Sequence, residues 1–425
     1  MDVKIEDKSE TKKEIVVTIL VDEMDPYIEK AVKKLSDGMN IKGFRPGKAP
    51  KDVVENSVGK EKLFEEAGRE AVQETFPKIV EENNLFTLAE PQVDLVKCAP
   101  GNDLVYKAVV HILPEIKLPD YRKMSEEVVS KESEKVTVGE EEIDQAIDRM
   151  RETKAKTQKV EREAKKGDSV TLNFKGVFDD DESKKVEEKD FKFVLGRGEM
   201  DMLKGFEENI LGMKEGETKN FTIPFAGQEK KDINLDVEII SVMERLLPEK
   251  DDDFAKTFPE IENMEGLREK IKEGLIAEKE RKEKEKLKVK VLGKIRENTN
   301  FEVPEVLVEK EIDNMLKTIE NQLTERGSNM DTYLKEIGKS EEDLRKEWRK
   351  KAEENVSYAL ILHAISKEEN INVTKEEIEN EVDRHFSMTG KEKKEEKEEN
   401  LERMRNYVHD VIKNQKVFRA LSISE

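Results

Sequence analysis

Residues 278–286 read EKERKEKEK, and every side chain in that run is charged. The run interrupts a helical pattern that places Leu267, Ile271 and Leu275 before it and Leu287, Val291 and Ile295 after it, at spacings of three and four. A helix that loses its apolar face for that long crosses solvent there, supported by Glu and Lys pairs at i,i+4. The two halves of the pattern therefore cannot share one core. Length agrees: 425 residues suggest about three domains. With 35% hydrophobic and 42% charged residues, the apolar surface is expected to be spread thinly over long elements. An elongated α+β multidomain chain is the expected fold class.

Reading along the chain, residues 14–21 (EIVVTILV) are β-branched and bounded by charge, which predicts a strand. Met24, Ile28, Val32 and Leu35 mark a helical face over 21–35, and Leu63, Phe64, Ala67, Ala71, Val72, Phe76, Ile79 and Val80 mark another over 60–82. Extended runs at 92–97 and 104–112 complete an α+β unit of residues 1–113. Two prolines make 113–119 a linker, and 140–159 reads as an exposed helix with a narrow stripe of Ile143, Ile147 and Met150. Residues 114–160 are thus a linker with a connecting helix. From Gly167 the texture changes to short runs (SVTLNFKGVF, DFKFVLG, TKNFTIPF, INLDVEIISVM) with one helical stretch at 204–211, predicting a small antiparallel sheet wrapped on a helix over 161–247. Residues 248–425 read as all helical, with stripes at Ile312, Met315, Ile319 and Leu323 and at Leu401, Met404, Val408 and Val411. Residues 391–400 (KEKKEEKEEN) are low in complexity and predict a solvated helix or loop.

Several chemistries are excluded by what the chain lacks. Cys98 is the single cysteine, so no intrachain disulfide forms, and a reducing compartment is expected. The four histidines (His111, His363, His385, His409) show no metal-ligand spacing, and neither a cofactor nor a metal is expected. No GxxxxGK[ST] loop is present for ATP. The first residues are too charged for a secretory signal, and the longest apolar runs are too short to span a bilayer, so a cytoplasmic protein without membrane partners is expected. A net charge of −21 argues against general nucleic-acid binding.

One segment departs from that acidity. Residues 41–51 hold Lys42, Arg45, Lys48 and Lys51 and no acid, around the sequence GFRPGKAP. Gly43, Pro46, Gly47 and Pro50 restrict or permit backbone angles so that a loop tip can hold a defined turn. Arg45 can fork onto a carboxylate or phosphate, Phe44 offers a rigid apolar anchor, and Lys48 adds a less directional charge. A plain surface turn, with Phe44 tucked back onto the helices, fits the residues as well.

GFRPGKAP between two helices, an isomerase-like middle region, LPE at 247–249 followed by DDDF, EGLREKIKE and a charged helical last part together resemble the bacterial trigger factor family over nearly the whole chain. The resemblance implies a first domain that docks through Gly43, Phe44, Arg45, Pro46, Gly47 and Lys48 at the nascent-chain exit of the large ribosomal subunit, on protein and ribosomal RNA. It implies a middle domain of the FK506-binding type of prolyl isomerase. Its last part would be a helical cradle that holds nascent and unfolded polypeptides without ATP, and a weak homodimer off the ribosome is left open. Repulsion between the acidic body and ribosomal RNA would keep binding reversible and salt-sensitive.

Matched to the family pattern, Phe174, Phe193, Leu203 and Phe206 form the isomerase pocket, with Phe206 its floor and Leu203 a wall. Three departures lower the expected activity: Val186 and Glu187 replace an aromatic followed by Asp, two residues are added within 198–205, and a short connection at 225–234 replaces a longer loop carrying Tyr and His. The same phenylalanines equally suit a plain core. For clients, exposed and adaptable apolar groups are required, and Met315, Ile319, Met404 and Tyr407 are the chosen candidates, with Met330, Tyr333, Met388 and Phe418 also set among dense Lys and Glu; any single Met or Leu on the stripes also suits helix-packing core. A free-standing prolyl isomerase with helical dimerisation arms would not explain GFRPGKAP, and a coiled-coil scaffold is broken by residues 278–286.

Overall fold

The computed structural model describes all residues except 40–43, 133–135, 179–180, 199, 201–202, 226–230, 391–396 and 424–425. Two compact units are present: Met1–Glu134 with Glu283–Glu425, and Lys135–Lys282. The first and last parts of the chain therefore pack into one body, and the middle is the other.

In the first unit, β1 (Asp2–Ser9), β2 (Lys12–Ile19), β3 (Gln92–Lys97) and β4 (Leu104–His111) form an antiparallel sheet in the order β1-β2-β4-β3. Strict alternation turns Ile15, Val17 and Ile19 of β2 and Leu104, Tyr106, Ala108 and Val110 of β4 to one face. On that face pack α1 (Asp25–Asp37), α2 (Lys51–Val58) and α3 (Lys60–Glu82). Gly68 lets α3 approach closely, since a Cβ there would meet Cys98 Sγ at 3.1 Å. The Cys98 thiol donates to the Phe64 carbonyl, and burial pushes its pKa up, as an inert packing residue requires.

The strand expected at 14–21 is β2, and the runs at 92–97 and 104–112 are β3 and β4. Residues 21–23 form a 3-10 turn, so the first helix starts later than the stripe suggested. Strand β1 and helix α2 had no counterpart in the sequence reading. β1 is an edge strand whose Val3 and Ile5 are only half-buried between charges, and α2 buries Val54 alone.

The linker at 113–119 leads into α4 (Tyr121–Glu132), which belongs with the C-terminal helices. Tyr121 donates to Glu369 at 2.5 Å, Arg122 forks onto the same carboxylate, and Ser125 donates to the Leu421 carbonyl at 2.6 Å. Around these contacts Val291, Leu292 and Ile295 of α8 (Met264–Glu297) meet Leu360, Ile361 and Ile365 of α11 (Glu341–Glu368) and Val417 and Phe418 of α13 (Glu398–Ala420). A second cluster joins α9 (Glu305–Glu325), α10 (Met330–Ile337) and α11; a third joins α12 (Lys375–Thr389) and α13.

Helix α12 is fastened through Glu377. This carboxylate completes the capping box with Thr374 and pairs with Lys416 at 2.7 Å. Those partners, Lys416 first, lower its pKa from 4.5 to about 2. A depressed folded-state pKa contributes stability that is complete above the unfolded value and is lost as pH falls through the folded one. Helical signal from α12 and α13 should therefore fade between pH 4.5 and about 2. Glu377→Gln should remove that part of an acid titration followed by circular dichroism; an unchanged titration would show that the pair does not hold α12.

The second unit holds α5 (Glu140–Thr153), β5 (Lys156–Lys159), β6 (Ser169–Phe178), β7 (Asp181–Val194), α6 (Phe206–Ile210), β8 (Thr218–Phe225), β9 (Lys231–Leu246) and α7 (Asp252–Ala255). The sheet runs β5-β9-β6-β7, with β8 paired to the first half of β9 on the same edge as β5, opposite β6, and every pairing is antiparallel. The helix expected over 140–159 ends at Thr153, because 156–159 pair with β9 as an edge strand. Arg162 forks onto the buried Asp168 at 2.6 and 3.0 Å and also reaches Glu244 at 3.0 Å, closing the sheet's entry. Ile143 and Ile147 of α5 pack on Phe254 and on Leu267 at the start of α8. Within residues 278–286, Glu278 and Lys282 pair at i,i+4 as expected, and α8 is unbroken.

Candidate functional site

The basic tip follows α1, as expected. Gly43 lies outside the described residues; Phe44, Arg45, Pro46, Gly47 and Lys48 form a turn closed by the Lys48 amide donating to the Arg45 carbonyl at 3.0 Å. Gly47 has φ +71, and a Cβ there would come within 2.2 Å of Asp37 Oδ1, so the position requires glycine. Ala49 is buried, and its amide donates to the buried Ser36 hydroxyl at 3.3 Å. Pro50 then caps α2.

The side chains on the turn point outward. Phe44 is 41% exposed and stands outside the buried core of the domain. On α1, Lys30 pairs with Glu74, and Lys34 with Glu66 and Glu70, whereas among the described residues Arg45 and Lys48 have no carboxylate in ion-pair range. An exposed ring beside two unneutralised cations on a fixed turn is suited to an anionic, partly apolar surface.

In the middle domain the structure brings Phe174, Phe193, Leu203 and Phe206 together, and all are buried. Phe206 is fully buried, with ring centroids of Phe174 and Phe193 at 5.9 Å and Phe221 at 6.0 Å. These rings pack edge-on or tilted, the ordinary geometry of neighbouring aromatics. The parts of the expected departures at 199, 201–202 and 226–230 lie outside the described residues. A cavity of about 530 Å³ in this domain is lined by Asn173, Lys175, Glu187, Asn220, Asp236 and Glu238 among others. Phe174 and Val237, both buried in the aromatic-cored cluster, line it as well, so the cavity borders that cluster.

Of the client candidates, Met315 is half-buried against the α9–α11 cluster, Ile319 is half-buried on α9, and Met404 is half-buried against α12, whereas Tyr407 is 70% exposed. Met388, on α12, is exposed as well. The structure adds a concavity that the sequence reading did not contain. A cavity of about 820 Å³ lies between α9, α11 and α13, with Leu307, Ala359, Leu360 and Leu362 on its walls. Leu88 and Leu113 join it from the N-terminal part, and Lys310, Glu311, Asp410 and Lys413 contribute charge. His363 lines it too; burial first, then Lys413 and Lys367, holds its imidazole below the ordinary value. Leucines mixed with charges of both signs suit extended chains of varied sequence.

Among the described residues no helix is long and apolar enough to cross a membrane. Family models described as bacterial trigger factor protein and its C-terminus match residues 1–150 and 263–422, and one described as FKBP-type peptidyl-prolyl cis-trans isomerase matches residues 160–233. Trigger factor of Caldicellulosiruptor bescii is 32% identical over 91% of this chain and 88% of its own length. That of Clostridium botulinum is 31% identical over 89% of this chain and 88% of its own length. A solved structure of the Trigger Factor chaperone aligns over 99% of both chains at 22% identity, with a TM-score of 0.49. With more than 30% identity to these curated relatives over about nine-tenths of its length, and with matching family models at its first and last parts, the chain belongs to the trigger factor family.

Proposed function

We propose that this chain is a cytoplasmic, ribosome-associated chaperone that holds nascent or unfolded polypeptides without ATP. Its N-terminal domain, residues 1–113, docks at the nascent-chain exit of the large ribosomal subunit through Phe44, Arg45, Pro46, Gly47 and Lys48, with Gly43 beside them. The observation that carries this reading is the outward display of Phe44, Arg45 and Lys48 on a turn fixed to α1. Clients are taken by the helical part, residues 248–425, at the cavity of Leu307 and Leu362 and along the surface that includes Met315, Ile319, Met404 and Tyr407. Residues 114–160 connect, and 161–247 form the isomerase-type domain.

Holding is tested by dilution of a chemically unfolded protein without nucleotide. The wild-type chain should suppress its aggregation at near-equal molar ratio, and Leu88→Glu with Leu307→Glu should require roughly fivefold more, since each places a charge in an apolar wall. A wild-type chain that suppresses aggregation only with ATP, or not at all, contradicts the reading.

The isomerase-type domain is proposed to turn over weakly. Prolyl isomerisation twists an amide over a barrier of roughly 20 kcal/mol, and a site that lowers it must admit the proline into a dry aromatic pocket. The mutual packing and burial of Phe174, Phe193 and Phe206 support slow turnover. A proline-peptide assay should show turnover far below that of an open FK506-binding domain; equal turnover would overturn this part.

A further inference from the structure

Two residues outside the docking turn hold it from behind. Ser36, in the last turn of α1, is 2% exposed, and its hydroxyl accepts the Ala49 amide hydrogen bond at 3.3 Å in a buried setting. Asp37, the next residue, sets its carboxylate where a side chain on residue 47 would stand, 2.2 Å from the position of a Cβ. Between these two contacts the Lys48 amide bonds the Arg45 carbonyl, so the backbone from 45 to 49 is fixed both internally and to α1. Ala49 is also a core residue, 7% exposed, which ties the exit of the turn to the domain interior.

We infer that Ser36 and Asp37 are positioning residues of the docking turn: they make no contact with the ribosome, and they fix the direction in which Phe44 and Arg45 are offered. The physical reason is preorganisation. A tip with several glycines and prolines has many alternative conformations, and each one excluded before binding is entropy that docking does not lose. Ser36 excludes conformations in which residue 49 leaves the core. The left-handed backbone at Gly47, φ +71, favours glycine there, and the Asp37 carboxylate stands in the space beside it. The inference rests on the proposed ribosome docking for its functional consequence, while the latch itself is a property of the free protein.

The test uses the full chain with purified large ribosomal subunits. Ser36→Ala should weaken docking about 3- to 10-fold, the range expected for one lost buried hydrogen bond. The Ala49 amide should then exchange hydrogen faster, and trypsin should cut more readily after Lys48. Gly47→Ala should weaken docking by about tenfold or more, and adding Asp37→Ala should restore part of it, because the clash is removed while the left-handed backbone remains strained. That partial rescue separates positioning from general destabilisation. If Ser36→Ala and Gly47→Ala bind like wild type while loss of Phe44, Arg45 and Lys48 abolishes binding, the latch is refuted and docking stands. If wild type does not bind, the docking reading fails. Ala49 exchange and cleavage after Lys48 then decide the latch alone: unchanged rates in Ser36→Ala refute it, and faster rates support it.

Discussion

Replacing Phe206 with alanine should cost the middle domain about 3–5 kcal/mol, the range for emptying a fully buried aromatic site. Phe206 has no exposure and touches three other rings, Phe174, Phe193 and Phe221. It also opens α6, a helix of 5 residues that begins after Gly205 at φ +91. A helix that short has no independent stability and is held by the side chains it buries, here Phe206 and Ile210. A loss of this size is a large part of a small domain's total stability. In thermal unfolding of the full chain, a transition from this domain should therefore move to clearly lower temperature, while the tip, which belongs to the other unit, keeps its binding. A variant as stable as wild type that loses isomerase turnover would instead mark Phe206 as the floor of an open pocket.

The second large effect is expected at the turn. Exchanging Phe44, Arg45 and Lys48 together for alanine should lower affinity for the large ribosomal subunit on the order of 100-fold or more, since an anchoring ring and two charge-assisted contacts are lost at once. All three side chains are exposed, so the fold should be unaffected. Arg45→Lys keeps the charge and loses the planar fork, and binding between wild type and the triple variant is expected. Ribosome-binding curves for the three proteins check both statements; a triple variant that binds like wild type would place docking elsewhere on the chain.

Much of this architecture can be read in the residues because local pattern and tertiary role coincide. Val170, Leu172 and Phe174 alternate in β6 because one face is core, and GFRPGKAP stands out because its glycines, prolines and cations serve a tip. Where the two diverge, sequence is silent. β1 alternates Val3 and Ile5 with charge but lies on an edge, and α4 follows a proline-marked linker while its Tyr121 belongs to a distant helical core. The joining of the first and last parts of the chain rests on contacts such as the Glu302 amide to Glu10 and Ser125 to Leu421, which leave no periodic trace. The same holds for the cavity: Leu88 and Leu113 line it by topology alone. Stripes located the helix faces but not their exposure, so Met404 proved half-buried and Tyr407, three positions on, open to solvent.

The most direct measurement is co-sedimentation of the wild-type chain with separated large and small ribosomal subunits across a range of salt. The account predicts binding to large subunits only, weakening as salt rises because Arg45 and Lys48 meet phosphate or carboxylate. It predicts that free Phe44, Arg45 and Lys48 are required. Absence of binding at low salt, or equal binding to both subunits that the triple variant retains, would contradict it.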